Sequence, residues 1–177
     1  MGVGFVELPF DLADEPLLAA SYEAWIQWRD GKVAPHWSDI NLVDLPTKII
    51  PMAIVVDVLD DGGFQYRFWG SGLVDLYGAD VTGLVMDKAR GGKLTEITEA
   101  QMGRVIDTIK PALFRVAVEK PSGVRLHKTN LRLPIIDGAS KVNKILTVST
   151  VEHVAAPEHE NLKDVFDLAI IPRLKYD

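Results

Sequence analysis

Hydrophobic positions along this chain repeat at helical spacing, then at strand spacing, then at helical and again at strand spacing. Leu18, Tyr22, Trp25 and Ile26 recur at helical intervals behind Pro16, a residue tolerated in a helix's first turn. The pattern predicts an amphipathic helix that stops near Gly31. Pro35, Pro46 and Pro51, with Asp39 and Asp44 between them, deny the next segment both helix and central strand. Residues 53–59 are apolar except for Asp57, and Asp60-Asp61-Gly62-Gly63 is a turn signal. Phe64, Tyr66 and Phe68 alternate with Gln65 and Arg67, so the returning strand 64–69 should carry one aromatic and one polar face.

A glycine-punctuated stretch follows, with a short helix around 73–77. Leu94, Ile97, Met102, Val105, Ile106 and Ile109 trace a longer amphipathic helix closed by Pro111. Three strands come next: 113–119, ending in Lys120-Pro121-Ser122-Gly123; 127–133, ending at Pro134; and 144–152. Between the last two, Thr129, Leu131 and Leu133 are expected to face Ile145, Thr147 and Ser149, or the opposite parity holds. Five antiparallel strands with helices inserted after the second imply an α+β domain, its helices covering one face of the sheet. The expected organisation is an N-terminal helix and proline-rich lead-in over 1–50, a core over 51–155, and a tail over 156–177 that could include a short helix.

Composition narrows the function classes. At 177 residues, 47% apolar and 25% charged, the chain suits one globular domain with a core of its own. The absence of cysteine excludes a disulfide framework and a thiolate nucleophile. A net charge of −6 disfavours nucleic acid. The one basic cluster, Arg125, His127, Lys128 and Arg132, falls on an expected strand and reads as a solvated edge. No segment is long and apolar enough to cross a bilayer, and no basic residue precedes the apolar N-terminus, so a cytoplasmic location is expected.

Several segments in order resemble a bacterial family of PAS domains, often short stand-alone proteins. They are Trp28-Arg29-Asp30-Gly31 with Pro35; Ser38-Asp39-Ile40 with Asp44-Leu45-Pro46 and Pro51; Val56-Asp57-Val58; and Phe64 with Tyr66-Arg67-Phe68-Trp69-Gly70-Ser71. Tyr77-Gly78-Ala79-Asp80-Val81-Thr82-Gly83 and Leu131-Arg132-Leu133-Pro134 with Asp137 complete the set, which spans about 25–152. Trp69 stands where a smaller aliphatic is usual, and His36-Trp37 replaces a more basic spacing. The resemblance implies a PAS-like five-stranded sheet with helices on one face plus the N-terminal helix, and a sensory or regulatory role.

It also implies a pocket under the helices, whose expected lining is Tyr66, Phe68, Trp69, Tyr77, Met102, Ile106, His127, Thr129, Leu131 and Thr147. A small molecule or signalling protein is the expected partner, and Leu18, Tyr22, Trp25 and Ile26 would pack either on the domain or on a second copy. A flavin photoadduct needs a cysteine, which the chain lacks. Haem in this fold usually takes a histidine from the long helix; that helix has none, and His127 more naturally only hydrogen-bonds.

Other chemistry is weaker. His153 and His159 lack the helical pairing of metal ligands. Asp60-Asp61 are turn formers, and Gly70-Ser71-Gly72 lacks the lysine and spacing of a phosphate loop. Ser71, His127 and Asp57 have none of the context of a triad. Two rival readings stay open: a cone-shaped isomerase- or dehydratase-like enzyme with His127 as its base, and an interaction domain with a filled core.

Overall fold

A computed structural model of the chain describes residues 5–86, 88–119, 125–153 and 169–170. Strand β1 (Phe5–Leu8) precedes helix α1 (Pro16–Arg29), and three single 3-10 turns lead into strands β2 (Ala53–Val58) and β3 (Phe64–Trp69). Helices α2 (Ser71–Tyr77) and α3 (Lys88–Thr108) come next. Strands β4 (Ala112–Glu119), β5 (Arg125–Ile136), β6 (Val142–His153) and the two-residue β7 (Ala169–Ile170) follow. The five expected strands are contiguous in one antiparallel sheet, ordered β4-β5-β6-β2-β3. β1 extends it antiparallel and β7 parallel, both on β4, and neither was expected. The rest of the tail, and with it the short helix considered there, lies outside the described residues.

Local chemistry explains most element boundaries. Pro16 occupies the first turn of α1, and the helix ends with Asp30 and Gly31 both at positive φ. In the proline segment the Trp28 indole donates from Nε1 to Asp44 Oδ2 at 3.0 Å, and Asn41 Nδ2 donates to Asp44 Oδ1 at 3.2 Å. One aspartate thus ties the loop to the end of α1. Gly62, at φ 83°, makes the β2–β3 turn.

Two strand expectations change. β5 runs through Pro134 to Ile136 rather than ending before the proline. The β4 ladder stops at Arg132, and the Pro134 carbonyl accepts from Trp25 Nε1 at 2.9 Å. The N–H that proline lacks therefore falls where no strand pairs, so no ladder bond is lost. In β3 the register slips between Val55 and Val56, leaving Arg67 as an extra residue. Tyr66 pairs with Val56 and Trp69 with Ile54, so these two aromatics share a face, and Phe68, opposite Val55, lies on the other.

Register assigns the rest. Lys128, Asn130 and Arg132 alternate with Thr129, Leu131 and Leu133 along β5, and pair with Val151, Ser149 and Thr147 of β6. The pairing of Thr129, Leu131 and Leu133 with Ile145, Thr147 and Ser149 does not hold, because they pair with Thr150, Val148 and Leu146 instead. α2 and α3 cover the face bearing the 128-130-132 row; α1 covers the opposite face, where Thr150 Oγ1 donates to Glu15 at 3.0 Å. The face of α1 turned to the sheet is Leu18, Ser21, Ala24, Trp25 and Trp28, while Tyr22 and Ile26 are half-buried on its flank. Leu18 and Trp25 are thereby used within the chain.

Candidate functional site

The α2/α3 side of the sheet holds a buried polar row. Lys128 and Arg132 are only 5% and 3% exposed, in the interior strand β5. This overturns the expectation of a solvated basic edge: with helices on both faces, alternate polar positions have no face left in water. From α2, the Tyr77 hydroxyl accepts from Lys128 Nζ at 3.1 Å. From α3, Gln101 Oε1 accepts from Arg132 Nε at 2.9 Å and from Asn130 Nδ2 at 3.3 Å. Arg132 Nη1 donates to Thr147 Oγ1 at 2.8 Å, and Ser149 Oγ donates to Asn130 Oδ1 at 2.8 Å. Among the described residues every acceptor of the two cations is neutral.

Aromatic rings border the row. Trp69 contacts Tyr77 edge-on at 5.4 Å and Tyr66 at 5.1 Å. Burial, reinforced by the Arg132 charge, pushes the Lys128 ammonium down to about 7. Burial also lowers Arg132, to about 10, against a smaller opposing pull from Tyr66 and Tyr77. The Tyr77 phenol is pushed up to about 12 by burial, and Tyr66 is raised further, by burial and then by Tyr77.

The expected lining divides between the two faces. Tyr66, Trp69, Tyr77 and Thr147 share the polar row's side, joined from α3 by buried Met102 and half-buried Ile106. Phe68, His127, Thr129 and Leu131 lie on the α1 side by register, so they do not line this site. His127, the base candidate of the rival enzyme reading, is thus separated by the sheet from the aromatic group. Lys128, Asn130, Arg132, Ser149 and Gln101 were missed. The alternation of 128, 130 and 132 was visible, but polar alternation alone describes a solvent-facing strand.

Among the described residues no three His, Asp or Glu side chains converge as a metal site; His159 lies outside them. No helix among them is long and apolar enough to cross a membrane.

A family model described as "PAS domain" matches residues 14–149. A search of curated proteins returns no match. Similar solved structures include a light-oxygen-voltage domain studied with a flavin analogue, at 12% identity and TM-score 0.42, covering 64% of this chain and 84% of that one. A LOV protein of Rhodobacter sphaeroides is 8% identical at TM-score 0.45, covering 62% of this chain and 63% of its own. The light state of the Aureochrome1 LOV photoreceptor is 10% identical at TM-score 0.41, covering 65% and 90%.

Proposed function

This chain belongs to the PAS-domain family, and from that premise we propose that it is a sensory module binding a small molecule between the sheet and helices α2 and α3. The supporting observation is how those helices are attached. Tyr77 and Gln101 tie α2 and α3 to β5 through hydrogen bonds to Lys128, Asn130 and Arg132. Hydrogen bonds can be exchanged for others at little net cost, whereas apolar packing displaced by a polar ligand has no such replacement. A ligand competing for the donors of β5 therefore shifts helix packing, and the altered helix surface is read by a partner as a population shift. Tyr22, Ile26 and the exposed Phe10, which packs 5.1 Å from Tyr22, form the outer flank of α1 available to such a partner or a second copy. The enzyme reading has less support, because its base candidate His127 lies on the other face.

Native mass spectrometry of the full chain, freshly purified, is expected to show a small molecule that denaturation releases. Adding it back should change hydrogen exchange in α2 and α3, and unchanged exchange there would count against a shift in helix packing. Turnover of a substrate abolished by Tyr77→Phe would overturn the reading.

A further inference from the structure

Resting on that ligand-binding reading, we propose that the ligand is a small organic anion whose carboxylate or phosphoryl group is taken by Lys128 and Arg132. Both side chains are almost wholly buried, and their hydrogen bonds run to the Tyr77 hydroxyl, Gln101 Oε1 and Thr147 Oγ1. Among the described residues no carboxylate forms an ion pair with either; Asp39, Asp57 and Glu7 are engaged elsewhere with Lys32, with Arg67 and Lys144, and with Arg104. A buried cation lacking a counter-charge destabilises the fold, and an apolar residue of the same volume would serve it better.

The deficit is one-sided. An ammonium and a guanidinium carry more N–H groups than these neutral oxygens can accept. Gln101, 0% exposed, has its Nε2 buried with no partner among the described residues. Turning the amide over gives no relief, because its oxygen already accepts from Arg132 and Asn130 and the swap would set N–H against N–H. Trp69 Nε1 is likewise buried with no partner among the described residues. Surplus donors and positive charge call for an acceptor-rich anion, and the rings of Tyr66 and Trp69 suit an apolar or aromatic body attached to it.

Calorimetry and thermal shift on the full chain test this with benzoate, succinate and inorganic phosphate as probes, and benzamide and succinamide as neutral controls. At least one anion should raise Tm and bind at least about tenfold tighter than its neutral control. Lys128→Met and Arg132→Met, checked for fold by circular dichroism, should each weaken that anion by about tenfold or more while raising the Tm of ligand-free protein. Where a methionine variant does not fold, Lys128→Gln serves for the same loss. Preference for benzoate or succinate assigns a carboxylate, preference for phosphate a phosphoryl group, and either upholds the proposal. Amides that bind as well as the anions, or anion binding unchanged by the substitutions, would overturn it and leave the ligand-binding reading intact. The anion proposal also fails if no probe binds and native mass spectrometry finds no retained anion.

Discussion

A Cβ on Gly70 would collide with the Pro51 carbonyl oxygen, and Gly70 N donates to the Ala53 carbonyl at 2.9 Å. The strand-to-helix turn closes onto the β2 entrance here, which is what joins Pro51 and the glycine of the Trp69-Gly70-Ser71 block. Gly70→Ala should therefore destabilise the chain by roughly 2 kcal/mol or more. Gly103, inside α3 with nothing within 4 Å of its added Cβ, should instead gain about 1 kcal/mol as alanine. Opposite displacements of the denaturation midpoint check the pair, and like signs would refute it. Lys128 adds a pH signature. Its ammonium is depressed to about 7 in the fold, so between there and its unfolded value near 10.5 the unfolded chain binds the extra proton. Stability then rises with pH across that interval, by roughly 2 kcal/mol from pH 7 to 9, and the penalty is complete below pH 7. Tyr77 opposes this only above pH 10. Denaturant titrations at pH 7 and 9 should show the rise in the wild type and not in Lys128→Met; an equal slope in both refutes the assignment.

Elements are held by a few side-chain hydrogen bonds as well as by packing. Trp25 fixes α1 to β5 at the carbonyl of Pro134, and Trp28 fixes the proline segment through Asp44. Trp25→Phe keeps the apolar ring but loses the bond, so a loss of about 1 kcal/mol with faster hydrogen exchange in α1 is expected. Unchanged exchange would show that packing alone holds the helix. At this scale the sequence was legible where one period dominated: α1, the β2–β3 turn and α3 lie close to where spacing put them. It failed where one residue changed the phase. The extra Arg67 sends Phe68 to the far face and brings Tyr66 beside Trp69, and alternation cannot reveal an inserted residue. Pro134 looked like a strand end because local rules are blind to where the neighbouring strand stops.

Both outer strands of the five-stranded core sheet, β4 and β3, find further backbone partners among the described residues. Backbone around Gly83 and Met86 bonds along β3, and β1 pairs from Phe5 to Leu8 along β4. Arg104 from α3 reaches Glu7 at 3.1 Å and pins β1 further. Deleting residues 1–10 uncovers half of β4 and should raise the association order above that of the full chain by size-exclusion chromatography. An unchanged elution profile would mean that β1 does not protect that edge.

The order of α1, the five central strands and the two inserted helices, the α+β class and the family resemblance were determined by the sequence alone. Periodicity, prolines and glycines act over a few residues, and those signals survive without a partner. Which face each β5 side chain meets, and whether that face is wet, was decided only by tertiary structure. The row Lys128, Asn130, Arg132 is polar in any setting; helices on both sides of an interior strand turn it from a solvated edge into a buried, donor-rich site. Burial is a property of the neighbours a residue acquires, and no local pattern contains them.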